Sequence, residues 1–487
     1  KRFSISIKGH PLAEQFKEIE KRGEERKINK KYFILTKDGK IKNLDEYKFE
    51  NQDFKILVEQ EALGTKKVEN KEPRFIEFLK RFGIEWESFS DIGHMRYNPI
   101  GCFIFDIACK YAEKIVKELK IPVYFVKGTN MFDLKRKPIA EHASLFGQRM
   151  YQVDLEDKQL ILRYAACFQQ FSMIKDWNIS YKHLPFGAFE IADSYRFEQS
   201  GELLLSFRTR KLTMPDLHVF CKDLEEAKNV FVEMHEKIHK EMEKLGRKYI
   251  SLYNLTSENF LKENMDFFKK LLEKENTDVL ICLYESNANY YWILNIEYHI
   301  IDELGRAREI GTIQIDVGNA ERFDIKYIDK NGEIKRPIIL HSAIIGSIER
   351  FLYTIFDNLT KEKNPKLPLW LSPIQIRILP VSEKYLEDAI NLAKKIKENE
   401  IRVDIDDRNE SVERKIRDAE ISLINYIVVF CEREKTKNIL SVRKKGEKIV
   451  EMSLEELIKE IENETKDYPF LEINLPLLLS KRPIFNV

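Results

Sequence analysis

The sequence predicts an α+β fold built on an antiparallel sheet with helices, followed by a separate α/β domain. Three observations lead there. Strand-like and helix-like segments are mixed over residues 73–357 without regular βαβ alternation, which favours α+β over a doubly wound sheet. A polar stretch with two prolines, Asn358 to Pro368, then interrupts the pattern and reads as a linker. Beyond it, strands and helices alternate over residues 369–487, the pattern of an α/β unit.

Taken in order, residues 1–72 are polar and predict a small N-terminal appendage. Its one clear β segment is Tyr32-Phe33-Ile34-Leu35, before the turn residues Asp38-Gly39. Between Phe103 and Lys120, apolar residues at Ile104, Ile107, Ala108, Ala112, Ile115 and Leu119 form a helical stripe. Asp223 to Leu245 predicts a long helix opened by an aspartate cap. Strands are expected at Val279 to Leu283, Tyr291 to Tyr298 and Gly311 to Val317. His341 to Phe356 reads as one apolar helical run with Gly346 inside it, where glycine costs about 1 kcal/mol relative to alanine. Close approach of backbone or a ligand, or packing of two helices, would explain a glycine there. In the last domain the expected order is strand Ile374 to Leu379, helix Glu383 to Glu398, strand Ile401 to Ile405, helix Val412 to Ala419 and strand Tyr426 to Phe430.

Composition bounds the function. The chain is 43% hydrophobic and 33% charged, with a formal net charge of +1, so any nucleic-acid footprint must be a local patch. Six scattered cysteines without CxxC pairs argue against a disulfide framework and a zinc ribbon. No apolar run approaches the ~20 residues of a membrane span, and the first residues lack a secretory h-region. A cytoplasmic enzyme is expected.

The chemistry concentrates in Tyr195-Arg196-Phe197-Glu198, then Phe207-Arg208-Thr209-Arg210 and Asp216-Leu217-His218, with Gly346-Ser347-Ile348-Glu349-Arg350 later. Arg-x-Glu answered by a second arginine suggests two strands joined by a turn, aiming charged groups into one site. Guanidinium groups bind phosphate bidentately, and a carboxylate can meet an amino group, which together suit a nucleotide pocket. Taken singly, each arginine reads as a solvated surface cation. The two motifs in this order change that reading.

These words resemble motifs 2 and 3 of the class II aminoacyl-tRNA synthetases, and in detail the threonyl-tRNA synthetases, from about Glu61 to about Lys448. The resemblance implies a class II antiparallel-sheet catalytic domain over 73–357 and an α/β anticodon-binding domain over 369–487. It places Arg196 on the α-phosphate and the substrate carboxylate, and Glu198 on the adenine amino group. Arg208 and Arg350 fall on the outer phosphates, and Glu309 joins the ATP site with its Mg²⁺. Arg196 and Arg350 would be catalytic, stabilising charge as the carboxylate attacks the α-phosphate. Asp216, Gln314 and either Tyr291 or Trp292 would contact threonine.

Spacing alone would not nominate Cys167, His218 and His341 as metal ligands. The resemblance does, since bacterial threonyl-tRNA synthetases hold zinc with one Cys and two His, and the matching words include Leu340-His341-Ser342-Ala343-Ile344-Ile345-Gly346-Ser347. Three protein ligands leave an open position. A zinc there would accept the amino group and hydroxyl of threonine and reject isosteric valine. Serine keeps the hydroxyl and loses one methyl, worth only about 1–3 kcal/mol, so a hydrolytic correction step is expected. The family's large N-terminal editing domain has no counterpart in residues 1–72. Glu61-Ala62-Leu63-Gly64 and Ser90-Asp91-Ile92-Gly93-His94-Met95-Arg96-Tyr97 resemble the short archaeal form that relies on a separate trans-editing protein.

In the last domain, Asn409, Arg417, Glu434 and Arg443 match anticodon-contacting positions, where unstacked bases are read on their edges. Between Arg433 and Lys448 there are seven Lys or Arg against two Glu, a candidate backbone-binding patch or a solvated face. Three positions depart from the family pattern: Thr129 replaces the motif 1 proline, Met214 a pocket glutamine, and Leu212 the aromatic that stacks on adenine. The expected partners are tRNA(Thr), ATP, threonine and a second copy in a homodimer. The expected function is threonine–tRNA ligation. The alternatives are a proline or serine ligase without the zinc, and a non-catalytic synthetase-like regulator or RNA-binding paralogue.

Overall fold

A computed structural model describes residues 29–65, 71–144, 149–284, 290–437, 439–446 and 448–485. It divides into two compact units, Lys1–Glu69 with Val116–Phe351, and Asn70–Ile115 with Leu352–Val487.

The first unit is built on a ten-stranded sheet. Third from one edge, strand Lys211–Cys221 lies antiparallel between Phe186–Tyr195 and Ile338–Ser342, and Ala307–Asp316 then Trp292–Ile301 continue the antiparallel array. Parallel pairing is limited to Ile250–Leu255 with Val279–Tyr284 and Val123–Phe125 with Phe186–Tyr195. The α+β expectation holds. Helix Leu224–Glu243 forms as its cap predicts, with the Asp223 side chain accepting the Glu226 N–H.

The N-terminal segment is not a free appendage. Strand Lys30–Leu35 pairs antiparallel with Val279–Tyr284, and Ile34, Phe54, Leu57 and Val58 share a core with Leu252 and Leu280. The Asp38-Gly39 turn appears as expected, with Gly39 at φ +81° and its N–H bonded to Thr36 O at 2.7 Å.

Two further expectations are corrected. His341 is not helical: it lies within strand Ile338–Ser342, and a turn precedes helix Ile348–Lys361. Gly346 sits in that turn at φ +75°, where a Cβ would lie 2.2 Å from Ile310 O. Its conservation of space, not helix packing, explains the residue. The linker also starts later than expected, because Leu359 extends the buried stripe of Leu352, Ile355 and Phe356 and carries the helix through Lys361.

The second unit contains a five-stranded sheet in the order Val403–Ile405, Ile376–Pro380, Tyr426–Phe430, Leu440–Lys444, Ile449–Met452. The first three are parallel, joined through helices Leu386–Lys397 and Val412–Ile421, which is the predicted α/β alternation. Its core gathers Ile376, Ile378, Ala389, Ile396, Val428 and Leu457. Residues 71–115, expected to open the sheet domain, cluster with this unit instead. Phe75 meets the Tyr353 ring edge-on at 4.9 Å, and Arg74 donates to Thr360 O at 2.7 Å.

Candidate active site

Register places the site. Asn295, Gln314, His341 and His218 are direct partners across four adjacent strands, so their side chains rise from one face in a single row. Asp216 and Gln314 lie on the same face as Met214 and Thr312, one pleat away along their own strands. The second pair lines a cavity of about 120 Å³, and Arg196, Arg208, Arg350, Glu198 and Glu309 line it too. The histidine row and the arginine-lined cavity are thus about 7 Å apart along the strands.

The arginines occupy loop and helix positions just past the strand ends. Arg196 follows strand Phe186–Tyr195, and its N–H donates to Arg210 O at 2.8 Å while its Nε donates to Tyr164 O at 3.1 Å. Burial, then the nearby Arg350, push its pKa below the ordinary guanidinium value. Arg350, in the first turn of helix Ile348–Lys361, donates through Nε to Phe207 O at 3.2 Å and through a terminal nitrogen to Glu309 O at 2.8 Å. The Glu309 carboxylate is 3.5 Å from the same group. Burial raises the pKa of Glu309, but Arg350, His299, Arg196 and Arg208 together hold it below the usual value. Glu198 is buried, with one oxygen lacking a partner. Arg208 reaches outward to Glu202 at 2.8 Å. Leu212 and Met214, two of the three positions that depart from the expected pattern, both line the cavity.

At the other end, the outer nitrogens of both histidines are committed. His218 Nδ1 donates to Gln170 Oε1 at 2.8 Å, and His341 Nε2 donates to Asp316 Oδ2 at 2.7 Å. That leaves His218 Nε2 and His341 Nδ1 facing each other at 3.0 Å. Two imidazole lone pairs so placed, each ring oriented by an acceptor, are what a shared cation requires. Cys167 is buried at the start of helix Cys167–Ile174, its Sγ 3.9 Å from His142 Nε2. Burial, then Asp216, push the thiol up to about 12, so a cation is needed to hold it as thiolate. Burial also lifts Asp216 to about 6, against the pull of His341 and Arg163. His218 is pushed well below its ordinary value by burial, then by His341. The structure thus brings His218 and His341 together, whereas the donor atoms of Cys167, His218 and His341 do not all lie within 4.8 Å of one another, and the thiol meets His142 instead.

The structure separates the two aromatic candidates. Tyr291 turns toward this row: its hydroxyl donates to Gln314 Oε1 at 3.0 Å and its ring lies 5.6 Å from His341. Trp292 stacks on Tyr290 at 4.7 Å and meets the Tyr284 ring edge-on at 5.5 Å. Two functional neighbours were missed from sequence. Arg163 and Glu190, both buried, form a bidentate pair at 3.0 and 2.6 Å, and Glu190 also accepts the Gly128 N–H at 3.0 Å. His142 lies against Tyr164 and Cys167. Neither belongs to a spaced motif, so only the fold brings them in.

The four anticodon candidates lie in the second unit. Asn409 is exposed after strand Val403–Ile405, and Arg417 is exposed on the following helix. Arg443 sits on strand Leu440–Lys444, its Nε buried without a partner and a terminal nitrogen 3.7 Å from Glu420. Glu434 is buried and engaged internally, accepting Ser441 Oγ at 2.7 Å and the Cys431 N–H at 3.1 Å. The basic run is partly neutralised: Lys435 pairs with Asp388 at 2.9 Å, Lys444 with Glu460 at 2.8 Å, and Arg433 with Glu451.

Comparison with known proteins agrees with this division. The tRNA synthetase class II core domain (G, H, P, S and T) matches residues 151–359, and an anticodon binding domain matches 375–464. A threonine–tRNA ligase of Thermofilum pendens is 50% identical over 492 residues, covering 100% of this chain and 80% of the relative. One of Pyrobaculum islandicum is 48% identical, covering 99% and 80%. The crystal structure of the RNA binding domain of threonyl-tRNA synthetase from Cryptosporidium parvum Iowa II superposes with a TM-score of 0.71 at 23% identity, covering 82% of this chain and 99% of that one. The likeness to that structure concerns fold alone.

Proposed function

The chain belongs to the threonine–tRNA ligases of the class II aminoacyl-tRNA synthetases, and from that premise we propose how its residues divide the reaction. The chain is an aminoacyl-tRNA ligase that binds ATP, threonine and tRNA. In the first step a threonine carboxylate oxygen attacks the α-phosphorus of ATP. The bond to the bridging oxygen breaks, giving threonyl-adenylate and pyrophosphate. In the second, the terminal ribose hydroxyl of tRNA(Thr) attacks the carbonyl carbon and AMP leaves.

One observation carries the assignment. The row holding His218, His341 and Gln314 adjoins, on one sheet face, the cavity lined by Arg196, Arg208, Arg350 and Glu309. Arg196 lines the cavity and also acts electrostatically on Asp216 and Tyr291, so its cation serves both ends at once. It stabilises the charge that develops between carboxylate and α-phosphate. Arg350 and Arg208 hold the outer phosphates, Glu198 meets the adenine amino group, and Glu309 is the carboxylate placed for Mg²⁺. Cys167, His218 and His341 would hold zinc, which supplies a Lewis-acidic position for the amino group and hydroxyl of threonine. Asp216 receives a substrate N–H, and Tyr291 closes over the side chain with Gln314 fixing its hydroxyl. Asn409, Arg417, Glu434 and Arg443 read the anticodon.

Among the described residues no helix is long and apolar enough to cross a membrane. A homodimer, and a separate editing protein for serine mischarging, complete the reading. ATP–pyrophosphate exchange with threonine, serine, valine and proline tests it. Strong exchange with threonine, weaker with serine and none with valine is expected. Exchange with no amino acid would favour the non-catalytic paralogue.

A further inference from the structure

On the opposite face of the sheet lies a second cluster with metal-ligand chemistry. His235 and His239 are four residues apart on helix Leu224–Glu243 and so share one face, which is turned into the core. Glu275, the last residue of helix Met265–Glu275, meets them there. The three ligand atoms lie within 4.8 Å of one another, the only such group of three among the described residues. Tyr298, which contacts His235, alternates with Glu297 and Asn295 along its strand and therefore points away from the Gln314–His341 row. The cluster is not part of the active site.

Three features point to a ligand there. First, His239 Nε2 and Glu275 Oε2 are both fully buried and both lack a hydrogen-bond partner, although they stand 3.3 Å apart. Poorly satisfied buried polar atoms are costly, and a cation between these two would satisfy both better than their own 3.3 Å contact does. Second, a carboxylate at the last turn of a helix faces the negative end of the helix dipole, so its burial calls for positive charge. Third, the outer atoms are already oriented. The Tyr253 hydroxyl donates to Glu275 Oε1 at 3.0 Å, leaving Oε2 available, and the Tyr298 hydroxyl lies 2.5 Å from His235 Nδ1, so that a metal at His235 Nε2 would replace the contact of that nitrogen with Leu271 O at 3.3 Å. His235 Nε2 is 3.5 Å from Glu275 Oε1. The His239 Nε2–Glu275 Oε2 separation of 3.3 Å is close to the about 3.3 Å edge between neighbouring ligands of a tetrahedral zinc with bonds of about 2.0–2.1 Å.

We propose that His235, His239 and Glu275 form a second, structural divalent-metal site for zinc, pinning the two helices to the back of the sheet.

Cobalt(II) and zinc(II) binding to the purified full chain test the proposal. Zinc content after loading and dialysis should fall by one equivalent in E275Q and in H239F, relative to the unmodified chain and whatever the occupancy of the Cys167 pocket. Cobalt added to C167A, whose second cluster is untouched, should give the d–d absorption of a nitrogen and oxygen site without thiolate charge-transfer bands. E275Q added to C167A should abolish that absorption. Unchanged zinc content in E275Q and H239F, or no d–d absorption from cobalt-treated C167A, would overturn the proposal.

Discussion

The Glu349 carboxylate accepts the backbone N–H of Thr213 through both oxygens, at 2.9 and 3.0 Å. One residue before Arg350, it ties the helix that begins at Ile348 to the strand that carries Asp216 and His218. Ser206, held at φ 63°, adds a second tie by donating to Glu349 O at 2.7 Å. The arginine of one motif is thereby referenced to the strands of the other.

Burial raises the Glu349 pKa from 4.5 to about 7. A carboxyl whose folded value is raised favours folding most below its unfolded value, and that margin is lost as pH climbs from 4.5 to about 7. The stability of the unmodified chain relative to E349Q should therefore fall across that interval and stay level above it. Thermal unfolding of both proteins in a pH series measures the difference, and a level difference throughout would refute the assignment.

Alanine at Gly346 must bring a Cβ to 2.2 Å from Ile310 O on a backbone at φ +75°. G346A should lose about 1–3 kcal/mol of stability from backbone strain, with further loss from the clash. Urea unfolding reads the stability, and exchange activity should fall with it because Gly346 lines the cavity shared by Arg196 and Arg350.

Breaking one half of the buried Arg163–Glu190 pair leaves an unpaired charge. E190Q should cost about 3–5 kcal/mol, whereas replacing both residues with apolar ones should cost less than the sum of the single changes. A double-mutant cycle by chemical denaturation decides between coupled and independent behaviour.

Lysine cannot reproduce the fork with which Arg350 holds Phe207 O and Glu309. R350K and R196K should each reduce the rate of ATP–pyrophosphate exchange about 10²- to 10³-fold. Full activity in either variant would remove that arginine from the mechanism.

Tyr291 and Trp292 make opposite forecasts. Y291F loses the hydroxyl bond to Gln314, worth about 1 kcal/mol, and should raise the threonine KM several-fold while leaving that for ATP alone. W292F, whose ring packs on Tyr284 and Tyr290 and not on Gln314, should change neither. Steady-state exchange kinetics with each substrate varied in turn separate them.

Much of this was legible in the sequence because the motifs are local. Asp223 as a cap, the Asp38-Gly39 turn and the alternation after residue 369 each depend on a few adjacent residues. Gly346 was misread because an apolar run continues smoothly from strand into helix, and periodicity alone does not mark the turn between them. The N-terminal strand was underrated because its partner, Val279–Tyr284, lies over two hundred residues away. Arg163, Glu190 and His142 carry no spacing signal at all. Their roles arise from burial, which only the assembled sheet provides.

The row from Asn295 to His218 has one more implication. Its members are aligned by backbone pairing and not by loop shape, so position along each strand acts as an address. Slipping strand Ile338–Ser342 by a single residue would send His341 to the far face and bring an apolar neighbour into its place. Insertions and deletions within these four strands are therefore far more damaging to this chemistry than most substitutions beside them.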